Sequence, residues 1–169
     1  MEKLPGAPTP TRIGVALCSA LLLLFAAASH AETGPFTGLG GSWSGNGTVS
    51  LGNGTRERLR CNATYSVGAE GNQLQQMLRC ASDSYRFDLS SNITYQAGEV
   101  SGTWSEASRN MSGMVSGSAK AGQFQVVVTS PSFSADLSLT TQGDRQSVVV
   151  TAPPGGQLVG ASITLTRGK

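Results

Sequence analysis

The chain has 169 residues, a formal net charge of +2 and a hydrophobic fraction of 38%, enough for one domain around one core. A charge so close to neutral supplies no electrostatic reason for a nucleic-acid partner. The single histidine is His30, and any segment that excludes it lacks a histidine base, a histidine metal ligand and a proximal haem ligand.

Residues 1–31 read as a secretory signal and not as part of the fold. Lys3 and Arg12 give a basic start, Ile13 to Ala28 an apolar run, and Ser29 and Ala31 the small residues at −3 and −1 of a cleavage site after Ala31. The run is short for a membrane span of about 20 residues. Leu17 stands where lipidation of Cys18 would need a small residue. One arginine in place of a twin pair favours the general secretory route. Beyond Ala31, ten basic and nine acidic residues remain, a net charge of +1, with two cysteines and no histidine. An even pair of cysteines in an exported chain predicts one disulfide. The expected location is the periplasm or the extracellular space, with no transmembrane span in the mature protein.

Residues 32–40 carry Gly34, Pro35, Gly38 and Gly40 and read as a flexible leader. The domain proper is expected over residues 41–169. Trp43, Gly45, Gly47, Val49 and Leu51 alternate with Ser42, Ser44, Asn46, Thr48 and Ser50, and Gly52-Asn53-Gly54 suits a type I turn ending on a left-handed glycine. Next comes a hairpin from Arg56 to Ala81. Counted outward from Glu70-Gly71, Cys61 falls opposite Cys80, so a disulfide would join adjacent strands and add about 3 kcal/mol. On the first of these strands Leu59, Cys61, Ala63, Tyr65 and Val67 share one face. Leu74, Leu78 and Cys80 meet them from the second.

The same alternation runs to the end of the chain. Asp83-Ser84 turns into a strand from Tyr85 to Gln96, with Tyr85, Phe87, Leu89, Ile93 and Tyr95 facing in. Later inward sets are Val100, Gly102 and Trp104; Met111 to Ala119 on odd positions; Phe124, Val126 and Val128; and Phe133, Ala135, Leu137 and Leu139. Val148, Val150 and Ala152 follow, and after Pro153-Pro154-Gly155-Gly156 come Val159, Ala161, Ile163, Leu165 and Arg167. Period-two alternation with short turns predicts about ten antiparallel strands, and no helical period occurs after residue 32. Ten strands with one apolar face must curl. An all-β, up-and-down barrel does this most simply, because closure leaves no edge; a two-sheet sandwich with the same connections is the alternative.

Gly41-Ser42-Trp43, opening the first strand of a meander, resembles the G-x-W signature of calycin barrels, which include lipocalins, fatty-acid-binding proteins, avidins and nitrobindin-like proteins. The phrase Gly41-Ser42-Trp43-Ser44-Gly45-Asn46-Gly47 is similar to the opening of nitrobindin-like barrels. The chain also looks like uncharacterised exported proteins of bacteria. The resemblance implies a barrel in which a basic residue near the end of the last strand packs over the tryptophan, and Arg167 matches that role. Haem binding in the nitrobindin-like members uses a histidine, so haem is not carried over. No cofactor or metal is expected.

Two sets of residues could act. Trp43, Tyr65, Tyr85, Tyr95, Trp104 and Phe124 face in among many glycines and alanines, with Gln76, Ser91, Glu106, Gln146 and Arg167 as inward polar residues. This set would line an apolar cavity whose polar groups orient a ligand, or the aromatics would simply fill the barrel opposite the glycines. Glu106 and Gln146, near strand ends, read as exposed at the rim. The second set, Arg56, Arg58, Arg60, Arg79 and Arg86, faces outward. It would hold an anionic envelope component or form a solvated edge partly neutralised by Asp88. Five Asn-x-Ser/Thr sequons, at Asn46, Asn53, Asn62, Asn92 and Asn110, are glycosylation sites only where the source uses that pathway.

No histidine base, paired carboxylates or phosphate-cradling glycine loop accompanies the remaining Ser, Asp and Glu residues. The reading is therefore a binding protein and not an enzyme: an exported small barrel holding a small apolar or amphipathic molecule. The alternatives act through the outer surface, as an envelope-associated scaffold or a small secreted protease inhibitor.

Overall fold

The computed structural model describes residues 34–120 and 122–169; the signal segment read at residues 1–31 lies outside them. Ten strands follow in order: β1 Gly41–Leu51, β2 Arg56–Val67, β3 Gln73–Ala81, β4 Arg86–Gln96 and β5 Glu99–Glu106, then β6 Met111–Lys120, β7 Gln123–Ser130, β8 Phe133–Gln142, β9 Arg145–Thr151 and β10 Leu158–Arg167. Each pairs antiparallel with its sequence neighbours, and β1 also pairs with β10. The sheet is a closed barrel, not a sandwich.

The alternating sequence makes this closure favourable. Along β2, Leu59, Cys61, Ala63 and Tyr65 are at most 3% exposed, while Arg58, Arg60, Asn62 and Thr64 between them face solvent. A flat sheet would leave that apolar face in water. The register is the expected one: Cys61 pairs with Cys80 and Tyr65 with Gln76. The disulfide joins the two cysteines across a Cα separation of 4.1 Å on the inner face. The β1–β2 turn closes over Gly52-Asn53-Gly54, with the Gly54 N–H on the Leu51 carbonyl at 2.9 Å and Gly54 at φ 86°. That left-handed φ is why glycine suits the position.

The inward glycines serve closure before volume. A Cβ on Gly45 would lie 1.9 Å from the Thr164 carbonyl oxygen, and one on Gly102 would lie 2.1 Å from that of Asn92. The strands come too close there for any side chain, as tight curvature requires.

Two stretches differ from the sequence reading. Val159 was expected to face in, yet it is 42% exposed and Leu158 is buried instead. The cause is a β-bulge: Ser50 pairs with Gly160 but Leu51 with Leu158, so Val159 is the extra residue. Beyond a bulge, inward parity flips.

The second difference is the leader. Phe36 is 1% and Leu39 3% exposed, and both belong to the core cluster. The Gly34 and Phe36 N–H groups bond to the Glu70 and Gly71 carbonyls at 2.9 and 3.2 Å. A stretch rich in glycine and proline is thus held because two apolar side chains anchor it over the barrel's end.

The two ends of the barrel therefore differ. Loops 52–55, 82–85, 107–110, 131–132 and 152–157 gather at one end. At the other, residues 34–40 form a plug. Among the described residues no helix is long and apolar enough to cross a membrane, which leaves strands untested.

Candidate ligand cavity

A cavity of about 710 Å³ occupies the interior. Phe36 is its floor: its ring stacks on Phe124 with centroids 5.6 Å apart and planes 6° from parallel. Leu59, Leu78, Leu89, Ile93, Val115, Val126, Leu137 and Ile163 form much of the wall. Tyr85, Arg109, Met111, Phe133 and the Pro153–Gln157 loop surround the mouth at the end opposite the plug. The volume falls in the roughly 300–1,000 Å³ range of small-molecule sites.

Five of the residues expected to line such a cavity do so: Tyr65, Gln76, Tyr85, Trp104 and Phe124. Tyr85 precedes β4 instead of starting it, which places its ring at the mouth. Trp43, Tyr95 and Arg167 do not reach the cavity. Trp43 and Arg167 build the plug's mounting. The Arg167 guanidinium sits over the Trp43 ring, 4.4 Å from its centroid, as the calycin resemblance implied. Its nitrogens donate to the Gly38 and Gly40 carbonyls and to Asp144 Oδ1 at 3.0 Å, while Trp43 Nε1 donates to the Leu39 carbonyl at 2.8 Å. Cation, ring and leader thus lock one another. Tyr95 packs beside the core, its N–H on the Asn72 carbonyl at 2.9 Å.

Neutral polar groups meet inside the barrel: Tyr65, Gln76 and Ser91 on neighbouring strands β2 to β4 line the cavity, and Tyr65 reaches Gln146 on β9. The Ser91 hydroxyl donates to Gln76 Oε1 at 3.0 Å. The Tyr65 hydroxyl donates to Gln146 Oε1 at 2.7 Å, and Gln146 Nε2 donates to Thr141 Oγ1 at 3.2 Å. Burial pushes the Tyr65 pKa far above its ordinary value, against the opposing pull of hydrogen bonds with Gln146 and Gln76. The phenol is neutral at any physiological pH.

Gln146 and Glu106 correct the rim reading: they are 0% and 4% exposed. Proximity to a strand end does not mean exposure when the chain folds back over that end. Glu106 accepts the N–H groups of Asp88, Ser108 and Arg109 at 2.9, 3.1 and 2.8 Å, and the Ser108 hydroxyl. Desolvation raises its pKa, but these bonds outweigh it and hold the carboxyl below the ordinary range. Glu106 is therefore an ionised clamp on the β5–β6 turn, fully engaged.

Arg109 was not singled out from the sequence. Its guanidinium lies 3.9 Å from the Tyr85 ring centroid, donates to the Arg86 carbonyl at 2.9 Å and stands 3.7 Å from Glu106 Oε2. An arginine in a turn has no periodicity to mark it; only closure brings it over the mouth. The outward arginines are placed as expected. Arg56, Arg58, Arg60, Arg79 and Arg86 are all exposed, Arg79 pairing with Asp88 at 3.3 Å. Their rows on β2 to β4 lie toward the open end.

No protein-family model matches the sequence, and no curated protein does. Solved structures do. Rv2717c from M. tuberculosis matches with a TM-score of 0.62 at 13% identity, covering 80% of this chain and 94% of that one. The S-type phycobiliprotein lyase CPES from Guillardia theta matches with a TM-score of 0.57 at 13% identity, covering 79% and 90%. The likeness is one of fold alone, a closed antiparallel barrel.

Proposed function

We propose that the protein is an exported binding protein that carries a small, mainly apolar molecule inside the barrel. The observation behind this is the cavity itself: plugged at one end, open at the other, apolar on most of its wall and of ligand size. Export rests on the signal-like residues 1–31 and agrees with the disulfide. The likeness to a protein named a lyase extends to the fold and supplies no reaction for this chain, and the reading here is of a carrier and not a catalyst. The test is uptake of Nile red, a neutral apolar fluorophore. The native protein should enhance its emission saturably, and Ala161→Phe, which fills the mid-cavity wall, should abolish the effect. No uptake by the folded native protein would refute the reading.

A second reading has its own observation. Arg56, Arg58, Arg60 and Arg86 have no ion-pair partner among the described residues and cluster near the open end. Such a rim suits an anionic envelope surface, so that the mouth would face the source of the ligand. Co-sedimentation with phosphatidylglycerol vesicles at low salt, lost at high salt and in Arg58→Glu/Arg60→Glu, is the expected result. The protease-inhibitor alternative has no comparable observation behind it.

A further inference from the structure

The polar groups of the cavity wall are unevenly charged, and that asymmetry selects among amphipathic ligands. Among the described residues Glu106 and Arg109 are the only cavity-lining side chains that carry charge. Glu106 closes β5 and Arg109 follows it in the β5–β6 turn, so both belong to the mouth end. The inner polar groups, Tyr65, Gln76 and Ser91, are neutral.

We infer that the inner end of the ligand is an uncharged hydrogen-bonding group, a hydroxyl or a carbonyl, and not a carboxylate. This rests on the carrier reading above and narrows it. An ionised head placed in an apolar interior without a counter-charge is strongly disfavoured. The charge closest along that wall is also of the wrong sign for an acid: Ser91 pairs with Trp104, and Glu106 lies two residues on along the same strand. Hydrogen bonding fits a neutral head instead. The Gln76 amide carries two N–H donors, and Ser91 gives its hydroxyl proton to Gln76 Oε1, which leaves the serine oxygen as an acceptor. A ligand hydroxyl both donates and accepts, so it can join Ser91 and Gln76 without displacing their mutual bond. Any charged group on the same molecule would sit at the mouth, where Arg109 is half-buried and water is near.

The experiment is displacement of Nile red from the native protein by decan-1-ol and by decanoate at pH 7, followed by the same titrations on Gln76→Leu/Ser91→Ala. Removing both partners leaves neither Gln76 nor Ser91 orphaned, and Tyr65 keeps its bond to Gln146; a cooperative urea-unfolding transition verifies that the variant is folded. Ser91→Ala alone, a smaller change, should move the result in the same direction. Decanol should displace the dye well below the decanoate concentration needed. The double variant should bind decanol about tenfold more weakly, the effect of losing one or two ligand hydrogen bonds, with each displacement constant referred to the dye affinity measured on that same variant. Tighter binding of decanoate, or a double variant indifferent for decanol, would overturn the inference while leaving the cavity reading intact. Failure of the native protein to take up the dye would overturn both.

Discussion

Phe36→Ala is the sharpest perturbation of the barrel's closed end. The ring is 1% exposed and stacked on Phe124, and it is held by a leader that reaches the barrel through few other apolar contacts. Truncating a buried phenylalanine costs about 3–5 kcal/mol, and about 0.5–1.5 kcal/mol beyond simple area burial is typical of an aromatic pair. Here the vacated space joins an existing cavity, so much of the void is shared and not newly created; the lower end, about 3 kcal/mol, is expected. For a domain of this size that lowers the melting temperature by roughly 10 °C. Urea unfolding followed by tryptophan fluorescence is the assay, since Trp43 reports on the same end. The floor also drops, so Nile red should still bind. An unchanged midpoint would refute the reasoning, because it would mean residues 34–40 are an appendage and the barrel is closed without them.

Two further outcomes follow from the geometry. Glu106 has its folded pKa depressed below the ordinary 4.5, so its clamp contributes stability that is fully present above that value and lost as pH falls through the folded pKa. Glu106→Gln should therefore be less stable near neutrality and show a shallower decline below about pH 4.5 than the native protein; Glu57, whose pKa is lowered by the Ser82 and Ser84 hydroxyls and the Ser84 N–H, keeps part of the slope. A parallel decline in both proteins would show that Glu106 does not couple to acid unfolding. At the bulge, Leu158→Ala should cost about 2–5 kcal/mol and Val159→Ala within about 0.5 kcal/mol; the reverse ranking in denaturant melts would return β10 to unbroken parity.

Most of the architecture was readable because a two-residue period constrains so much. Once Cys61 is set opposite Cys80, the hairpin's pairing follows, and the length of each loop carries one inward set onto the next. Tyr65, Gln76, Trp104 and Phe124 could be placed in the interior for the same reason. What escaped the reading lies where parity stops applying. Val159 is itself the inserted residue of a bulge that its neighbours do not announce. Phe36 and Leu39 are only two apolar residues among glycines, and their burial depends on a barrel end that exists only after closure. Glu106 and Gln146 carry inward parity, but whether a strand end is wet or covered depends on which loop returns over it. Arg167 was correctly matched to Trp43 yet counted among ligand contacts; stacking on that ring turns it toward the leader and away from the cavity. Arg109 sits in a turn, and its place over Tyr85 is tertiary in origin.

The central claim is that the barrel interior carries a molecule. Native mass spectrometry of the mature protein, purified from its own host without detergent or apolar additives, tests it most directly. The account predicts a reproducible added mass, released on unfolding and reduced in Ala161→Phe. A bare polypeptide mass in every preparation, from folded protein that also fails to take up Nile red, would contradict it.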